Sequence, residues 1–151
     1  MQTTTGSWLA ALRAYIIASV AAHLAWEILQ LPLYTIWSTG GPRQIAFAIA
    51  HCTGGDAVIA VTALSLALIL VGHKNWPEQS YRVVLSVTLL FGVSYTIFSE
   101  WLNVTVRGSW AYTPDMPVVP VLGTGIGPLL QWIFVPIAAL STARRFAARR
   151  R

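Results

Sequence analysis

The sequence predicts an all-α fold, a four-transmembrane-helix bundle with a long outer loop between helices three and four. Three observations predict it. Apolar residues make up 56% of the 151 and charged residues only 10%, whereas an ordinary soluble protein carries roughly 25% charged residues. The apolar residues gather into four stretches, each near the roughly 20 residues of helix that cross about 30 Å of hydrocarbon. Of the ten Lys and Arg, eight fall on one side of the resulting layout. With ten basic and five acidic residues, the chain has too few charges to cover a soluble surface, so a soluble enzyme, a disordered tail and a nucleic-acid module do not fit. The single cysteine, Cys52, has no partner for an internal disulfide and says nothing of redox compartment.

The first span runs from about Ala14 to Leu31, between Arg13 and Pro32. It ends in Leu29-Gln30-Leu31-Pro32 rather than in a small-residue cleavage site, so removal as a signal peptide is not expected. The second, about Ile45 to Val71, is longer than a crossing needs and is expected to tilt or to begin as an interfacial turn. The third, about Val83 to Leu102, follows a polar turn from Gly72 to Glu78. The fourth, about Ile126 to Ala143, has Pro128 in its first turn, where a missing N–H is tolerated, and Pro136 as an expected kink. No repeat or linker divides the chain. Residues 1–151 therefore read as a single integral membrane domain ending in a basic tail, 144–151.

With both termini cytoplasmic, that side holds Arg13, Lys74, Arg82, Arg144, Arg145, Arg149, Arg150 and Arg151, and the outer side only Arg43 and Arg107. The positive-inside rule selects this orientation, expected here for a bacterial inner membrane. An Arg run just after a hydrophobic helix reads as a topology and anionic-lipid anchor, so no nucleic-acid partner is expected. The outer loop, about Asn103 to Gly125, carries Trp110, Tyr112, Pro114, Pro117 and Pro120. That composition suits a stiff lid and an interfacial aromatic belt equally.

An ionisable group inside a membrane helix costs about 2.5 to 3.5 kcal/mol on insertion scales, which makes each one a functional candidate. Three of the five acids, Glu27, Asp56 and Glu100, fall inside spans. Helical rise puts His23 roughly 12 Å, Glu27 roughly 6 Å and Glu100 roughly 3 Å below the outer ends of their helices, and Gln131 roughly 7 Å down the fourth. His51 falls near the outer interface, with Asp56 at most about two turns deeper. Every span thus brings a polar group to the outer half, while the inner half is aliphatic, as in Val58 to Val61 and Leu66 to Leu70. His23, Glu27 and Gln30 share one helix face, and Thr96, Glu100 and Asn103 repeat the spacing. His51 and Asp56 stand about 140° apart on an ideal helix. Gly54-Gly55 between them invites close packing, a local distortion or the approach of a ligand. Taken singly, His23 reads as a hydrogen bond to a neighbouring helix, Glu27 as a carboxyl paired with His23, and Glu100 as solvated at the interface. Their convergence points to a water-accessible cavity.

Three functions fit such a cavity. The first is an intramembrane enzyme moving protons on a small lipophilic substrate, isomerase-like, with His23, Glu27, Asp56 and Glu100 as catalytic groups. A buried carboxyl can donate a proton, a His one turn away can set where the proton rests, and aromatic faces steady a developing cation. Trp26, Tyr95, Trp101 and Trp132 are candidate faces, and Gln30, His51, Asn103 and Gln131 further substrate contacts. This reading needs no cofactor. The second is a metal- or haem-binding protein, with zinc or iron on the His and carboxylate groups or haem between His23 and His51. The third is a non-catalytic lipid-binding, transport or assembly subunit. Four helices are few for a transporter acting alone, which makes a homodimer its expected form. Membrane lipid and a lipophilic small molecule are the expected partners.

His23-Leu24-Ala25-Trp26-Glu27 on a first membrane helix, an acid on the next, a third helix ending in Ser99-Glu100 and a Trp in the fourth resemble the four-helix EXPERA proteins, typified by the emopamil-binding sterol isomerases. The resemblance implies a lipid cavity open within the membrane, His23 and Glu27 as the proton-transfer pair, and Trp132 as the aromatic that steadies a carbocation. Asp56 stands where the family has a Glu, and Gln131-Trp132 where it has Asn and Trp three apart. The segments from Trp26 to Tyr34 and from Gly127 to Trp132 are also similar to small bacterial membrane proteins of no assigned function.

Overall fold

A computed structural model describes residues 4–149. Helix α1 spans Thr4–Gln30 and continues into a 3-10 turn, Leu31–Leu33. A short α2, Ile36–Thr39, leads to α3, Pro42–Val71. Helix α4, Tyr81–Glu100, runs into a π-helical segment, Trp101–Val106, and α5 spans Ile126–Ala148. Four of these helical runs are long and apolar enough to cross a membrane: Trp8–Leu33, Pro42–Val71, Tyr81–Val106 and Ile126–Ala148. The protein is therefore an all-α, four-span integral membrane bundle.

The long helices form a ring in which α1 and α4 each pack on both α3 and α5. Tyr15, early in α1, donates to the Ala60 carbonyl, late in α3, at 3.2 Å. Tyr81 at the start of α4 bonds Ser141 near the end of α5 at 3.1 Å. Successive spans thus run antiparallel, and His23, Asp56 and Gln131 meet at one depth, with Glu100 nearer the end of the bundle that the loop covers.

The other half of the bundle is an apolar core of Ala11, Ala14, Ala60, Ala67, Ala139, Ala143 and Ala147, filled by Tyr15, Leu64, Val84 and Leu140. Alanine lets helix backbones come close, and in lipid that packing, rather than exclusion from water, holds helices together. At the end of this core the turn between α3 and α4 is anchored by Trp76, which meets Trp8 edge to face at 5.3 Å. Trp8 also donates to the Lys74 carbonyl at 3.0 Å.

Several boundaries differ from the sequence expectation. Helix α1 begins at Thr4, and Arg13 lies exposed on its surface rather than before it. Ala10, Ala11 and Ala14 bury there, so nothing ends the helix at the charge. Helix α3 begins at Pro42, and the Gln44 side chain accepts from the Gly41 N–H at 2.8 Å, satisfying a group left over at the helix start. The fourth span continues to Ala148, so Arg144 and Arg145 are helical rather than part of a tail. Arg144 sits over the Tyr81 ring, 4.8 Å from its centre. Arg150 and Arg151 lie outside the described residues. Gly54 and Gly55 are exposed in an unbroken helix, and a side-chain carbon on either would meet no atom within 4 Å, so no neighbouring helix uses them.

The outer loop starts after Val106, later than expected, and is fastened to the end of α1. Thr35 donates to the Ala111 carbonyl and Thr113 to the Leu33 carbonyl, both at 2.9 Å. Beyond these, Ile126 donates to the Pro117 carbonyl at 2.7 Å, which closes the loop on itself at the start of α5.

Candidate functional site

Four polar groups, His23, Glu27 and Gln30 of α1 and Asp56 of α3, gather around one amide. Gln131 on α5 is buried, and its Nε2 lies 2.9 Å from His23 Nδ1 and 3.0 Å from Glu27 Oε1, both on α1, and 2.8 Å from Asp56 Oδ2 on α3. Gln30, one turn beyond Glu27, donates to Glu27 Oε1 at 2.9 Å and to Gln131 Oε1 at 3.2 Å. The shared face of His23, Glu27 and Gln30 meets α5 as a unit, and the three side chains are buried together. His23 and Glu27 meet through Gln131, while the acid beside the imidazole is Asp56, whose Oδ2 is 3.4 Å from His23 Nδ1.

The proton count decides what this cluster can do. An amide nitrogen carries two hydrogens, and here three acceptors surround it. The amide serves two of them, and the third contact is met when the imidazole proton sits on Nδ1 facing Asp56, while His23 Nε2 is buried without a partner. An acceptor left unserved in a buried setting costs about 1 to 3 kcal/mol. Three groups able to hold a proton, His23, Glu27 and Asp56, thus surround one amide nitrogen within 3.0 Å of it.

A cavity of about 820 Å³ opens onto the cluster, within the size range of small-molecule sites. Asp56, Glu27, Gln131 and Trp132 form its polar end, Tyr95, Thr96, Glu100 and Asn103 its α4 side, and His51 and Gly55 part of its α3 side. His23 lies fully buried behind that wall, its ring 5.0 Å from Trp132. The Trp132 indole packs closely against α4 at Gly92, which has no side chain. A Cβ at that position would come within 2.3 Å of the indole. Sequence reasoning passed over Gly92, and a lone glycine in an aliphatic helix gave no distinguishing signal.

Trp26 stands apart from the cavity and stacks on Phe134 at 6.4 Å. His51 is exposed and stacks on Phe47 at 5.5 Å, so the two histidines have unlike surroundings. Among the described residues no group of three or more His, Cys, Asp and Glu is arranged to hold a metal ion.

Glu100 is buried rather than solvated, because the outer loop covers it. Tyr112 from that loop donates its hydroxyl hydrogen to Glu100 and accepts from the Gly125 N–H at 3.0 Å. Tyr34 meets the Tyr112 ring edge to face at 5.5 Å. Burial pushes both phenols above the ordinary tyrosine range, and the neighbouring Glu100 carboxylate pushes in the same direction. They therefore remain neutral hydrogen-bonding groups, and the loop is tied across this edge of the cavity.

No family model matches the chain, and neither a curated protein nor a solved structure matches it. What fold and site define is a class: an integral membrane four-helix bundle with a polar cavity in one half of its depth.

Proposed function

We propose that the protein is an intramembrane enzyme that shifts a double bond in a small lipophilic substrate by proton transfer. The observation that carries this reading is the Gln131 amide shared by His23, Glu27 and Asp56 at 2.8 to 3.0 Å. Such a cluster gives up a proton and regains it with little movement. Asp56 is the member whose carboxyl faces both cavity and imidazole.

In the proposed step, Asp56 delivers a proton to one carbon of a C=C bond, leaving a carbocation on the other. Loss of a proton from the next carbon to a cavity carboxylate, Glu27 or Glu100, re-forms the double bond one position along. The reaction gains and loses one proton, so it needs no co-reactant. Glu27 returns its proton to Asp56 through the shared cluster, and Glu100 does so through water in the cavity. The Trp132 and Tyr95 faces stabilise the cation by cation–π attraction, and His23 acts from behind as a positioning residue. The chain would then work in the manner of the EXPERA isomerases that its first helix resembles. Clustering of Arg13, Lys74, Arg82, Arg144, Arg145 and Arg149 at one end supports cytoplasmic termini in a bacterial inner membrane.

The test is product analysis. Purified protein supplied with a panel of isoprenoid and sterol-like alkenes should yield a positional isomer of at least one, and Asp56→Asn and the double variant Glu27→Gln/Glu100→Gln should each abolish it. Equal conversion by wild type and both variants contradicts the proposal.

A further inference from the structure

The cavity's other end has a chemistry that proton transfer does not use. Arg43, in the first turn of α3, and Arg107, just after the π-helical segment, both line it. They are the two cations of the outer side, drawn from separate elements, and both are exposed. Neither is ion-paired with an acid among the described residues. Two unpaired guanidiniums on one cavity present forked donors that match a carboxylate or phosphate.

A second feature adjoins the first. A groove of about 220 Å³ lies between Val58, Thr62 and Leu66 of α3 and Phe91 of α4, and it shares Ile59 and Tyr95 with the main cavity. Its walls are almost wholly apolar. Along the α3 axis, Arg43 to Asp56 spans roughly 20 Å and Asp56 to Leu66 a further 15 Å or so. Cation pair, carboxyl cluster and apolar groove therefore follow one another in depth.

We propose that the occupant is an amphipathic anion, its carboxylate or phosphate head held by Arg43 and Arg107 and its hydrocarbon chain running past Asp56 into the groove. This names the substrate class for the proton-transfer reading and rests on it for the chemistry, but the binding claim is tested without turnover.

The experiment is displacement of a fluorescent lipid probe from full-length protein in non-ionic detergent. Competitors are palmitate, hexadecyl phosphate, uncharged hexadecanol and inorganic phosphate. The anionic amphiphiles should bind about tenfold or more tighter than hexadecanol, as expected for charge-assisted contacts. The double variant Arg43→Gln/Arg107→Gln should erase that difference and leave hexadecanol unchanged, whereas Arg82→Gln/Arg145→Gln, at the opposite end, should keep it. Asp56→Asn should also keep it, which separates failure of the binding claim from failure of the proposed reaction. Equal affinity for anion and alcohol, or a preference that survives the Arg43/Arg107 double variant, overturns the proposal. Inorganic phosphate competing as well as hexadecyl phosphate overturns the lipid assignment in favour of a free-phosphate site.

Discussion

Gln131 of α5 donates to Asp56 of α3 over 2.8 Å, and the same nitrogen faces both functional groups of α1. One side chain thus ties three helices together at the depth where each carries its costliest group. Gln131→Leu leaves Asp56 without its N–H donor and Glu27 with that of Gln30 alone. Each unserved buried group costs about 1 to 3 kcal/mol, and for a chain of this size 1 kcal/mol moves Tm by roughly 2 to 4 °C. A thermal shift in detergent should therefore fall by at least several degrees, and by much less in Ser94→Ala, at an exposed position of α4.

The contact between Trp132 and Gly92 gives a second expectation. Gly92→Ala brings a methyl within 2.3 Å of the indole, so the ring must move. Overpacking of this kind costs about 1 to 3 kcal/mol, and it should also shift tryptophan emission and lower activity. Gly54→Ala and Gly55→Ala meet nothing within 4 Å. They replace glycine inside a helix, where alanine is favoured by up to about 1 kcal/mol, so their Tm should be unchanged or higher.

The paired phenols Tyr34 and Tyr112 predict an alkaline limit. Folding holds both above the ordinary tyrosine value near 10. Below that value folded and unfolded chains alike keep the phenol protons, and the stabilisation is fully present. As pH rises through it, the unfolded chain releases protons that the folded chain retains, so stability falls until the folded values are reached. Melting followed from pH 9 to 11.5 should show a steep loss, and Tyr112→Phe, which removes one of the two phenols, should show a shallower slope. An identical slope in the variant contradicts this account of the loop.

Much of this was legible in the sequence, for identifiable reasons. The spans follow from hydropathy, because lipid permits helices and little else. His23, Glu27 and Gln30 reveal a shared face by spacing alone, and their depth follows from helical rise. The partner of each group was not legible. Which acid meets His23 depends on how α3 is rotated against α1, and nothing local to either helix records that, so Asp56 rather than Glu27 stands beside the imidazole. Trp26 sits one residue from Glu27 and turns to Phe134, because neighbouring helical positions point roughly 100° apart. Arg13 and Arg144 misled as boundaries, since a helix at a membrane edge continues through residues whose charged ends reach water. The Tyr112 to Glu100 contact joins a loop to a span, and loop closure leaves no periodic trace.

The measurement that bears most directly on the central claim is hydrogen exchange into substrate in D2O. An alkene lipid turned over by the purified protein should gain deuterium at the carbon that receives the proton. Asp56→Asn should lower the rate by about 10² to 10⁴-fold, the usual contribution of a positioned acid or base, while leaving the protein folded. Deuterium entering equally fast with Asp56→Asn and Glu27→Gln, or no deuterium entering any converted product, would contradict proton transfer by this cluster.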